Sequence, residues 1–245
     1  MVWTSFLLNG ILSMIDMKQH IITGTQNANC CGKRRLKSAR SFEAADTFNW
    51  AVSYTNPLIA SNTPDPGVTK LKDGSGWAAV ATSDFATRAH NSSAFPMYFS
   101  PDMVRWELQS WVFTPDTWPS WAEDSMWAPE LHNVNGRYIV YFTARGSNGQ
   151  LSCGAAVAQT SDPFGPYLDI GKPLVQPTDS LGGAIDPHYF KDPVTGKDYL
   201  LWKEDKPMTL EPSIIYLSEL STSGVFIKVN TNNVKLICEI NILNL

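Results

Sequence analysis

The 245 residues are 43% hydrophobic and 17% charged, which supplies a packed core and excludes a disordered chain. A net charge of −4 and an isoelectric point near 5.5 give no electrostatic basis for binding nucleic acid. Nine Trp and eight Tyr serve either a core or, as flat rings, the faces of sugars.

The chain opens on MVWTSFLLNGILSMI, an uncharged and partly apolar stretch. It lacks the basic start of a secretory signal, Asn9 and Gly10 interrupt it, and it is too short to span a bilayer. A weak signal or anchor, a disordered leader and a mis-assigned first exon remain alternatives. The segment that follows, to residue 48, mixes Lys, Arg, Gln, Asn and Ser without a period and reads as leader. Cys30 and Cys31 are adjacent there, Cys153 and Cys238 lie far apart, and no zinc-type spacing occurs. Asn91-Ser92-Ser93 forms a glycosylation sequon. Secretion is the expected destination.

From Asn56 onward the texture changes. Short apolar runs alternate with Gly, Pro, Asn and Asp turn signals, and no amphipathic stretch reaches helical length. Strands are expected at Trp77–Thr82, Phe95–Phe99, Tyr138–Thr143, Gly154–Gln159, Tyr199–Lys203 and Ile214–Leu217, an all-β reading.

The runs also repeat. DPGVTKLKDGSGWAAVATS from Asp65, APELHNVNGRYIVYFTA from Ala128 and DPHYFKDPVTGKDYLLWKED from Asp186 can be superposed. Each gives a small or acidic residue and Pro, a short strand, a Gly-bearing turn and an aromatic-rich strand. A further strand follows each: FPMYFS, SCGAAVAQ and SIIYLSE. A spacing of about 60 residues with four strands per unit is a propeller signature, against a β-sandwich with similar hairpins. NNVKLI near Asn232 reads as the opening of a fourth unit. Three units cannot close a ring.

The residue before each Pro is Asp65, Ala128 and Asp186. In a propeller the innermost strands line one axis, so these positions converge and bring two distant carboxylates together. Paired carboxylates are what glycoside hydrolysis requires. The plainer reading of either Asp-Pro is a turn. Metal binding by Asp186 with His188 or Asp192 is a further option, without a recognised ligand spacing.

The stretches NPLIASNTPDPGV, FPMYFSPDMVRWE, SMWAPELHNVNGRYIVYFTA and GGAIDPHYFKDPVTGKDYLLWKED, in this order over Asn56 to Ile237, resemble glycoside hydrolase family 43. That family contains arabinofuranosidases, arabinanases and β-xylosidases. The resemblance implies a five-bladed β-propeller, of which about three blades are present, and an inverting mechanism. It implies Asp65 as general base and Asp186 as the residue that orients the acid and tunes its pKa. Trp127, in Trp-Ala-Pro-Glu, and His188 are expected to bind substrate. Glu130 lies two residues past the Asp slot and is set aside as an acid. The family's acid, a Glu beside Gly-Pro in the fourth blade, is absent: no Glu-Gly-Pro occurs, and Glu239 matches nothing of that motif.

The expected organisation is therefore a leader over 1–48, partial propeller over 49–237 and an aberrant tail over 238–245. The blades fall near 49–110, 111–170 and 171–230. The expected substrate is a plant-type polysaccharide or oligosaccharide, with no nucleic-acid partner and no clear membrane association. No cofactor is expected, although some relatives carry a channel metal ion such as calcium, whose ligands would come from later blades. The alternatives are a non-catalytic sugar-binding propeller and a related hydrolase acting on fructans.

Overall fold

The computed structural model describes residues 54–177, 183–205 and 213–226, together with the backbone of 235–240. The leader over 1–48, with Cys30 and Cys31, lies outside the described residues. The chain divides into a unit reaching Pro57, of which only residues 54–57 are described, and a unit running from Leu58 to Leu245. The architecture below belongs to the second unit.

Among the described residues twelve strands run in chain order: β1 Gly67–Lys70, β2 Trp77–Val80, β3 Ala94–Ser100, β4 Glu107–Phe113, β5 Ala122–Val134, β6 Arg137–Gly146, β7 Leu151–Ala158, β8 Tyr167–Asp169, β9 Gly183–Lys191, β10 Asp198–Asp205, β11 Ser213–Glu219 and β12 Lys235–Ile240. Among the described residues the helical element is one 3-10 turn, Pro115–Thr117. The fold class is all-β, as expected.

Pairing is antiparallel between sequence neighbours within three meanders, β1–β4, β5–β8 and β9–β12. The second and third are joined by one parallel step, Leu151 beside Gly183. Each meander therefore has the four strands expected of a repeat unit. Lys235–Ile240 departs from the reading made of it. It pairs with β11 as the fourth strand of the third meander and does not open a fourth.

Two cores hold the meanders face to face. On β6, Tyr138, Val140, Phe142 and Ala144 join the first cluster, which holds Val80, Phe95, Met97 and Phe113 of the first meander. The alternate residues Ile139 and Tyr141 join the second, with Tyr189, Leu200 and Trp202 of the third. Successive strand residues point to opposite faces, so a strand covered on both sides must be apolar throughout. That is why Tyr-Ile-Val-Tyr-Phe reads as one unbroken run. On β7 the same alternation uses small residues, Ala156 and Ala158 one way and Cys153 and Ala155 the other. Gly154 is obligatory there: a Cβ would lie 2.4 Å from Phe142 Cζ and 2.8 Å from Trp121 Cζ2.

The hairpin between the first two strands of each meander carries the expected glycine. Gly74, Gly136 and Gly196 have φ of 77°, 91° and 68°. A residue without Cβ enters this left-handed region at little cost, so the repeated Gly has a backbone cause.

Candidate active site

The three slots before Pro share one backbone feature. Asp65, Ala128 and Asp186 have φ of 48°, 43° and 56°. Residues bearing a Cβ seldom occupy this region, and its recurrence at matching positions means that surrounding structure enforces it.

Two threonines supply part of that enforcement. Thr82, just beyond β2, accepts the Ala128 N–H on Oγ1 at 2.7 Å and donates the same hydroxyl to Asp65 Oδ2 at 3.0 Å. Its own N–H donates to Pro64 O at 3.0 Å, extending the β1–β2 hairpin to the residue before Asp65. Thr143 on β6 pairs with Trp127, the residue before Ala128, and accepts the Asp186 N–H on Oγ1 at 3.0 Å. Each hydroxyl thus ties one meander to the slot residue on the first strand of the next. The third meander breaks the pattern, because Lys203 pairs with Ile185 where the threonines would stand.

Inner strands β1, β5 and β9 follow one another in space, β5 contacting both others. Asp65 lies two residues before the start of β1, and Asp186 lies within β9, both partly exposed. Asp186 is near enough to Cys153 on β7 for its charge to reinforce the burial that pushes this thiol well above its usual pKa. Trp127 sits on β5, partly exposed, beside the Ala128 slot.

His188 has a different neighbour from either one considered in the sequence. Its Nδ1 lies 2.5 Å from Glu130 Oε2, and His132 Nε2 lies 2.9 Å from the same oxygen. Burial raises the Glu130 pKa, but hydrogen bonds from His132 and His188, with the charges of those rings, outweigh it and bring it to about 2. Glu130 is consequently ionised at neutral pH and cannot donate a proton to a leaving group. Asp192, the other metal candidate, is occupied in its own hairpin, accepting the Val194 N–H at 2.9 Å and the Thr195 hydroxyl at 2.5 Å.

A groove of about 520 Å³ runs past Thr82 and is lined by Ser61, Phe85, Tyr98, Leu108 and Trp111. Phe85 is 82% exposed. A flat, solvated ring close to the residue that anchors Asp65 is suited to a sugar face, and sequence reasoning did not single it out. Asn91 of the sequon is exposed, and among the described residues no helix is long and apolar enough to cross a membrane.

Residues 54–238 match the model of the glycosyl hydrolases family 43. Over 125 residues the chain is 28% identical to the extracellular endo-α-(1→5)-L-arabinanase 1 of Bacillus subtilis, covering 49% of this chain and 37% of that protein. It is 27% identical over 158 residues to a non-reducing end α-L-arabinofuranosidase of Bacteroides ovatus, covering 61% of this chain and 28% of the relative. Among solved structures, a thermostable family-43 glycoside hydrolase superposes with a TM-score of 0.61 at 26% identity, over 76% of this chain and 56% of the other. The chain spans well under two thirds of each of these proteins.

Proposed function

Because the chain belongs to family 43 of the glycosyl hydrolases, we propose that it serves the hydrolysis of arabinose- or xylose-containing polysaccharides and oligosaccharides, with inversion at the anomeric carbon. The observation that carries this reading is the shared left-handed geometry of Asp65 and Asp186 at matching slots of adjoining meanders. The three meanders are read as three blades of a five-bladed propeller.

In an inverting reaction one carboxylate takes a proton from water as the oxygen attacks the anomeric carbon, while an acid protonates the departing oxygen. Asp65 is the base. The Thr82 hydroxyl, whose lone pair is engaged by the Ala128 N–H, directs its proton to Asp65 Oδ2 and leaves Oδ1 for the water. Asp186 orients the acid and tunes its proton affinity, its backbone fixed through Thr143. Trp127 and His188 form part of the sugar-binding wall. The relatives act on arabinan and arabinofuranosides by name, which supports arabinose as the sugar and an extracellular place of action.

A second reading has its own support. The exposed Phe85 ring beside the groove at Thr82 offers a sugar face, and in this reading the chain binds sugar without cleaving it. The test pairs debranched arabinan and aryl arabinofuranoside, xyloside and fructoside with the purified chain and its Asp65→Ala variant. Pentose release that disappears in Asp65→Ala supports hydrolysis. Oligosaccharide binding without release supports the binding reading, and fructose release alone overturns the choice of substrate.

A further inference from the structure

One step along the inner strands from the Asp65, Ala128 and Asp186 slots lies a second set of positions: Gly67, Glu130 and His188. Register shifts between Trp127 and Glu130 on β5, and between Ile185 and His188 on β9, interrupt the alternation from the slots to this set, whereas Glu130 and His132, two apart in regular pairing, share a face. Glu130, His132 and His188 are partly exposed, whereas their strand neighbours Pro129, Leu131, Pro187 and Tyr189 are buried.

The three functional side chains converge. One donor atom from each of Glu130, His132 and His188 falls within 4.8 Å of the others. The imidazole planes meet at 89° with centroids 5.6 Å apart, so their nitrogens approach from two directions. Side-chain exposures of 23%, 22% and 14% leave the cluster reachable by a small solute yet shielded from bulk water. Gly67 lets β1 close on it without a competing side chain: a Cβ there would lie 2.7 Å from Pro129 O and 3.2 Å from Glu130 Cα.

We propose that Glu130, His132 and His188 form a binding site for a divalent transition ion of the zinc, cobalt or nickel type. Two imidazoles and one carboxylate suit such ions, whereas calcium asks for six to eight oxygens. Zinc sits about 2.0–2.1 Å from nitrogen and oxygen ligands, so neighbouring donors must be roughly 3 Å apart. The contacts of 2.9 Å and 2.5 Å to Glu130 Oε2 need only a small spreading of flexible side chains. The ring nitrogen facing Glu130 in each imidazole can ligate an ion once the ring proton sits on the other nitrogen. The proposal shares His188 with the sugar-binding wall of the hydrolase reading, but its test reads ion binding and not sugar release.

The test uses the full chain, stripped with chelator, in calorimetric titration with zinc and absorption titration with cobalt(II). One ion per chain is expected, with affinity at least about tenfold weaker in His188→Ala and in Glu130→Gln. Millimolar calcium should not displace it. Variants at His20, His90, Cys30 and Cys31 should bind as the parent does. Ring-nitrogen NMR of the unmutated chain guards against variants that fail to fold: zinc should shift the signals of His132 and His188 and leave the other two histidines in place. No binding below about 1 mM, or shifts confined to His20 and His90, would overturn the proposal.

Discussion

Replacing Thr82 by valine deletes one hydroxyl and keeps the branched shape, so it isolates what that oxygen contributes. Thr82 is 1% exposed, and its Oγ1 serves both the Ala128 N–H and Asp65 Oδ2. In the valine variant the Ala128 N–H, on a residue only 8% exposed, keeps its desolvation cost and loses its acceptor. That costs about 1–3 kcal/mol. Asp65 is partly exposed and recovers water, so its loss adds about 0.5–1.5 kcal/mol. Together the expected destabilisation is about 2–4 kcal/mol, a sizeable part of the roughly 5–15 kcal/mol that holds a domain folded. Thr82→Ser keeps both hydrogen bonds and loses one methyl, about 1 kcal/mol. Urea unfolding followed by Trp fluorescence measures both. Equal midpoints for the valine and serine variants would refute the idea that this hydroxyl anchors the slot.

Asp198, 6% exposed, accepts hydrogen bonds from Tyr189 Oη at 2.6 Å, Lys191 Nζ at 2.8 Å and Asn135 Nδ2 at 2.9 Å. Burial pushes its pKa up, but hydrogen bonds from Lys191, Tyr189 and Asn135, with the Lys191 charge, carry it below the ordinary value. A depressed carboxyl stabilises the fold above its unfolded pKa of about 3.9 and loses that contribution as pH falls through the folded value. Asp198→Ala should therefore cost about 2–4 kcal/mol at pH 7, with the difference from the parent shrinking below pH 4 in melts across pH. Gly154→Ala drives a methyl into Phe142 and Trp121 and should cost about 1–3 kcal/mol, read as a lowered melting temperature.

The repeat was legible because its punctuation has backbone causes. Gly74, Gly136 and Gly196 turn the hairpins, and the residue before each Pro takes the same left-handed conformation. Strands with dense apolar or aromatic runs, such as β6 and β10, were readable for the same reason. The outer strands were not. The three residues of β8 carry no pattern long enough to register, and β4 reads as mixed polarity. Nothing within Lys235–Ile240 distinguishes the last strand of one unit from the first of the next, since the choice rests on non-local pairing with β11.

The candidate site was half visible. Asp65 and Asp186 stood out as matched slots, whereas Glu130 was discounted for being two residues out of register. The register shift between Trp127 and Glu130, which no residue pattern announces, helps set the face that Glu130 takes and so its meeting with His132 and His188. The threonines were visible too, at the same place in Val-Ala-Thr-Ser and Tyr-Phe-Thr-Ala. Their role rests on hydrogen bonds between meanders, which no single repeat contains.

A crystal structure of the chain with an arabino-oligosaccharide bears most directly on the proposal that carboxylates from two repeats serve one sugar. The expected result is a single pentose unit, or the water at its anomeric carbon, within about 3.2 Å of both Asp65 and Asp186. Sugar held elsewhere on the sheets, with the two carboxylates turned from one another, would contradict it.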